Sequence, residues 1–211
     1  MRILVSGATA TLRKLATVYP EHLGVLMTPQ NGNRMCSLAL PWACDNAAFS
    51  RPDDTKFWRM TIDAWMVSDY HPPMWVAAPD VVGDHVATVR TFDCWWEYWC
   101  AEIGYVPFPV AFVLQNGCVS EQVPWDRISA VFVGGDDRFK LRMSSELISE
   151  AKSRGKLVHI GRVNSQRRLR YCMDVGADTV DGTSFSMFPD RRIEPAVRYI
   201  RSMLQARTLG F

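Results

Sequence analysis

LALPWACDNAAFS (residues 38–50) is an apolar run that stops at an acid. Residues 38–44 carry Leu, Trp and Ala, and Asp45-Asn46 closes them before two alanines and Phe49. A charge at the end of a buried strand must be solvated, paired or employed. The pattern recurs. Short apolar runs fall at 2–6, 24–27, 38–44, 75–78, 110–114, 130–133, 157–160 and 178–180, each closed by Gly, Pro, Asn or Asp, which is how buried strands read. Between them lie helix-length stretches at 11–19, 55–68, 85–103, 139–154, 165–175 and 194–207. Asp53 or Asp54 and Ser165 stand where N-caps are wanted, and Gly104, Gly155 and Gly176 where helices end. Eight strands alternating with helices predict a parallel α/β fold and, by their number, a compact single-domain (β/α)8 TIM barrel over residues 1–211. An open doubly wound sheet is the other topology this rhythm allows.

Composition bounds the function. Of 211 residues, 48% are hydrophobic and 22% charged, which predicts a packed core rather than disorder. No run approaches a membrane span, and the opening MRILVSGATATL reads as strand and turn rather than signal peptide. Six cysteines without a CxxC predict reduced thiols, no structural metal and a cytoplasmic setting. The net charge of +2 hides an asymmetry: residues 138–211 hold 15 Lys and Arg against 7 Asp and Glu. Such clustering is either a set of solvated helix faces or the footprint of a polyanion.

The strand ends carry the chemistry. Asp45-Asn46, Pro79-Asp80, Gln115-Asn116-Gly117, Gly134-Gly135-Asp136-Asp137, Gly161-Arg162 and Asp181-Gly182 follow the third to eighth runs. In a barrel they share one rim, where catalytic residues gather. One such Asp alone commonly caps a helix or turn, but several together predict a cavity rich in acids. The Watson–Crick edge of guanine presents two adjacent donors and a carbonyl. A carboxylate (Asp80) matches the donors; a carboxamide (Gln115) and a backbone N–H of Gly134-Gly135 match the carbonyl. Phe49 is placed to stack on the purine. Asp45 and Asp181 remain for displacement at an anomeric carbon, which a pair of carboxylates serves.

On these residues the chain resembles the tRNA-guanine transglycosylases, and most nearly the DNA-acting 7-deazaguanine transglycosylases of bacteria and phages. DNAAF (45–49) is similar to the family's Asp-Ser-Gly-Gly-Phe, VAAPDVVGD (76–84) to the strand bearing its base-reading Asp, and FVLQNG (112–117) to its Val-Gln-Gly-Gly. VFVGG (131–135) and residues 157–185 resemble its Gly-Gly and its last two strands, so the match covers roughly 38–186 in the family's order. The resemblance implies Asp181 as nucleophile, Asp45 as acid and base, and Asp80, Gln115, Gly134 and Gly135 as base readers with Phe49 and Ile160 as walls. It implies no cofactor, and as partners DNA and a 7-deazaguanine such as 7-cyano-7-deazaguanine, in a role that shields DNA from restriction. The family's tRNA-acting members carry a Cys-rich zinc subdomain after the last strand; no Cys follows Cys172, which favours the compact DNA-acting branch. Ala47-Ala48 stands where the family has Gly-Gly.

Arg162, Arg167, Arg168 and Arg170 follow the seventh run beside this rim and read as phosphate contacts, with Arg191-Arg192 as a weaker second pair. His159 reads as a core or rim histidine. Phe92, Trp95, Trp96, Tyr98 and Trp99 read as a helix packed on the barrel, or else as a dimer or partner surface. Two other functions fit: a tRNA transglycosylase without zinc, and a non-catalytic nucleic-acid-binding subunit, against which the presence of both Asp45 and Asp181 speaks.

Overall fold

The computed structural model describes residues 1–7, 10–30, 40–50 and 52–208. Eight parallel strands close in chain order: β1 (Arg2–Ser6), β2 (Leu23–Met27), β3 (Trp42–Cys44), β4 (Val76–Ala77), β5 (Val110–Leu114), β6 (Ala130–Val133), β7 (Leu157–Ile160) and β8 (Thr179–Asp181). The closing ladder pairs Ile3 with Val180 and Leu4 with Asp181. The fold is therefore a compact (β/α)8 TIM barrel, and the open sheet is excluded. Part of the expected third strand, residues 38 and 39, lies outside the described residues, as does Cys36.

The helices follow from local chemistry. α1 (Ala10–Ala16) is shorter than expected; α2 (Asp54–Val67) is capped by Asp53, whose carboxylate accepts from the Lys56 N–H at 3.0 Å. Helix α3 (His85–Ile103) is capped by Asp84 and ended by Gly104 at φ 85°. The crossover from β5 to β6 has no α-helix, only single 3₁₀ turns at Ser120–Gln122 and Trp125–Arg127. The stretch expected as one helix over 139–154 divides into a π turn, Phe139–Met143, and α4 (Ser145–Ser153). The Lys140 carbonyl there accepts from the Ser144 hydroxyl and the Tyr171 phenol, both at 2.8 Å. Those side chains replace the amide an α-helix would use, and such single-turn π segments frequently mark functional sites. Ser165 caps α5 (Gln166–Asp174); α6 (Thr183–Met187) was not expected from the sequence; and α7 (Pro189–Thr208) starts five residues before the expected position and carries Pro195.

Two apolar layers separate by strand parity. Outward residues such as Val5, Val25, Phe112, Val131 and Ile160 pack under the helices. Inward ones are Leu4, Leu26, Ala43, Trp75, Ala77, Ala111, Val113 and Ala130, with Phe132 against them. The aromatic residues of α3 mostly serve the outer layer: Phe92, Trp95 and Trp99 are buried, and Trp99 meets Trp58 and Trp65 of α2 at 6.0 Å between ring centroids.

Candidate active site

Inward parity continues past the strand ends. Ala43, Val113, Phe132, His159 and Thr179 point into the barrel, and two residues further on lie Asp45, Gln115, Gly134, Gly161 and Asp181. With Asp80 from the turn after β4, they line one cavity of about 390 Å³ at the C-terminal rim. Phe49, Gly135 and Arg162 line it as well. Seven of the eight residues expected to catalyse or read a base therefore converge, all but Ile160, and of the four arginines expected beside them only Arg162 joins them.

Asp80 and Gln115 form a fixed pair. One Asp80 oxygen accepts from the Asn46 amide at 2.7 Å, the other from the Gln115 amide at 2.5 Å. The Gln115 oxygen accepts from the Gly83 and Gly135 N–H groups, each at 2.9 Å. The Gly135 N–H, expected to be offered to a base, is consequently engaged by Gln115. Gly135 lies at φ 70°, and a Cβ there would sit 2.4 Å from the Asn116 side-chain oxygen, so no other residue fits without rebuilding the turn. Burial raises the Asp80 carboxyl, opposed by its bonds to Asn46 and Gln115.

Asp45 and Asp181 face each other electrostatically. Burial first, and the Asp181 charge second, raise Asp45 from an ordinary 3.8 to about 7. One Asp45 oxygen accepts from the Ala47 N–H at 3.1 Å. Ala47 takes φ 58°, a left-handed conformation uncommon outside glycine, in the turn that carries this acid. Asp181 Oδ1 accepts from the Arg162 N–H at 3.3 Å and meets His159 Nε2 at 3.2 Å. His159 is fully buried between Trp75 and Phe132. Burial lowers its pKa despite the pull of Asp181 and so favours the neutral imidazole. A neutral ring facing a carboxylate carries its proton on Nε2; Nδ1 then accepts from the Thr179 hydroxyl at 2.9 Å.

Lys140 and His159 were not among the expected site residues. Lys140 lines the cavity from the π turn, buried, with Nζ donating to the Gly161 carbonyl at 3.1 Å. Burial, and then Arg162, lower it to about 8. The sequence carried a signal for His159, its inward parity in β7, and none for Lys140 beyond its nearness to Gly134-Gly135.

Several expectations need correction. Ile160 is no wall of the cavity: its neighbour His159 points inward, so parity sends Ile160 outward beneath the helices. Arg162 does not reach for solvent. At φ 64° it folds back, donates to the Gly135 carbonyl and lays its guanidinium 4.0 Å from the centroid of the Phe49 ring. Arg168 pairs with Asp137 and donates to the Arg162 carbonyl at 3.2 Å; Arg170 pairs with Asp174 at 3.8 Å. Arg167 is exposed on α5, and none of these three lines the cavity. Among the described residues, no group of three His, Cys, Asp or Glu side chains is placed to hold a metal ion, and no helix is long and apolar enough to cross a membrane.

The spacing at Gly161 is testable. A Cβ there would lie 2.9 Å from Phe132 and 3.0 Å from Asp181 Oδ1. Gly161→Ala is expected to displace Asp181 and reduce turnover roughly 10- to 100-fold, since misplacements near an ångström have that effect. Circular dichroism should meanwhile show an intact fold. Turnover equal to wild type would mean the Asp181 position is unimportant.

No family model matches the chain, and neither does any curated protein.

Proposed function

We propose that the protein replaces guanine in DNA with a 7-deazaguanine base by double displacement at the deoxyribose. The observation that carries this reading is the meeting of Asp45, Asp80, Gln115 and Asp181, from the C-terminal ends of four different strands, around one cavity. Three roles divide among them by environment. Asp80 is clamped by two amides and presents its carboxylate as an acceptor for the paired donors of a guanine edge. Asp45, raised to about 7, holds a proton close to neutral pH, as a group that both gives and takes one should. Asp181 is oriented by two donors on one oxygen, leaving the other for attack.

In the first step an Asp181 oxygen attacks C1′ and the C1′–N9 bond breaks. Its electron pair stays with the base, and Asp45 delivers the proton that makes free guanine. The result is an ester between Asp181 and deoxyribose. The incoming base then loses its N9 proton to Asp45, attacks C1′ and expels the carboxylate, so configuration is retained and every proton is returned. Two carboxylates flanking an anomeric carbon are suited to this sequence. The target base must be flipped out of a duplex or already single-stranded, because the cavity encloses its edge. Choice of DNA as acceptor, and of a 7-deazaguanine as donor base, follows the sequence resemblance.

The test is incorporation of radiolabelled guanine into polymer, with single-stranded DNA, duplex DNA and tRNA offered under identical conditions. Label entering DNA supports the reading. Label entering tRNA alone would transfer the same chemistry to the other polymer, and label entering none would refute base exchange.

A further inference from the structure

Beside the main cavity lies a second pocket of about 180 Å³, between the loop after β7 and helices α5, α6 and α7. Asn164 lines both, so the two adjoin. Arg191 and Arg192 line the second pocket, with Ser184 and Tyr199. Both arginines are exposed, and among the described residues neither has a carboxylate partner. The two nearest acids in sequence are turned elsewhere. Asp190 accepts from the Thr11 hydroxyl, and Glu194 pairs with Arg198 at 2.7 Å. Of the four arginines expected to contact phosphate, Arg162 is committed to Gly135 and Phe49, Arg168 to Asp137 and Arg170 to Asp174, while Arg167 is exposed and lines neither pocket.

We infer that this second pocket holds a backbone phosphate of the nucleic acid whose base occupies the main cavity. Guanidinium forks match phosphate oxygens in pairs, and two of them without counter-charge beside a concave surface suit a phosphodiester. The loops after the seventh and eighth strands are also where barrel enzymes frequently hold phosphate. Asn164 marks the junction, so a strand entering the cavity with its base lays its sugar-phosphate across that residue. The polymer is taken from the base-exchange reading; the uncompensated charge is independent of it.

The test is the salt dependence of binding of a fluorescein-labelled single-stranded DNA oligonucleotide, read by anisotropy. Wild type is compared with Arg191→Ala/Arg192→Ala and with Arg90→Ala on α3 as a remote control. Each lost phosphate contact lowers the slope of log K against log salt by roughly one, so the double variant should lose up to about two and bind roughly tenfold more weakly at low salt. The control should match wild type. An unchanged slope in the double variant overturns the inference even if guanine exchange proceeds. A reduced slope in a protein that exchanges no guanine leaves the phosphate site standing and removes the base-exchange reading. Inorganic phosphate, titrated calorimetrically, separates the sources: binding lost in the double variant while the oligonucleotide slope stays fixed would assign the pocket to a free anion and refute the polymer.

Discussion

Asp181→Asn is expected to remove guanine exchange, by roughly 10⁴-fold or more, as deletion of a covalent nucleophile does elsewhere. The variant isolates the chemistry because the amide can keep its oxygen where two donors converge. His159 Nε2 and the Arg162 N–H both address Oδ1, so the nitrogen takes the other position and the fold keeps its bonds. Melting temperature should change little. The wild type incubated with DNA should yield a denaturation-resistant protein–DNA adduct through the Asp181 ester, and the variant none. Exchange within tenfold of wild type, or an adduct that persists in the variant, would show that another group attacks the sugar. His159 has a defined part in this outcome: as a buried neutral donor it orients the carboxylate without neutralising it.

Asp45→Asn should separate stability from activity in opposite directions. Asp45 has a folded pKa of about 7 against an ordinary 3.8. A carboxyl raised in this way stabilises the fold fully below pH 4, and that contribution is lost as pH rises through 7, because the unfolded chain ionises more readily. The difference amounts to about 4 kcal/mol above pH 7, at 1.36 kcal/mol for each pKa unit. Asparagine carries no charge to desolvate and can still accept the Ala47 N–H. The variant should therefore melt higher than wild type at pH 8, with the gain shrinking as pH falls and vanishing below about pH 4, the ordinary carboxylate range. Exchange should fall by roughly 10²- to 10⁴-fold, the usual contribution of general acid–base catalysis. Thermal melts between pH 4 and 8 decide the first part; a stability difference that does not vary with pH would mean Asp45 is not held protonated by its surroundings.

The barrel was readable because its strands are buried on both faces, which makes them short apolar runs, and because Gly, Asn and Asp punctuate each end. The site was readable for the same reason: Asp45, Gln115, Gly134 and Asp181 sit at a fixed inward offset from strands that periodicity locates. Adjacent strand residues alternate, so with His159 inward Ile160 lies in the outer layer. Other features had no local signature. Lys140 enters the cavity through a π turn made by Ser144 and Tyr171, the latter 31 residues away. Arg162 turns inward because its backbone is left-handed and because Gly135 and Phe49 await it, none of which a stretch reading GRVNS discloses. Which arginines meet an acid depends on pairing that the sequence does not display: Arg168 and Arg170 of α5 and Arg198 and Arg207 of α7 do, whereas Arg191 and Arg192 have no such pair among the described residues.

The barrel interior holds Ala43, Ala77, Ala111 and Ala130 around one indole, Trp75, which rests against Phe132 and His159 at 5.8 and 4.7 Å between rings. Four small neighbours make room for that side chain, and it in turn supports His159, which meets Asp181, and Phe132, which lines the cavity. The molecule is built like a bottle with its stopper at the base. The floor under Phe132 and His159 is therefore set from the end of the barrel opposite the rim, by a residue that does not itself line the cavity.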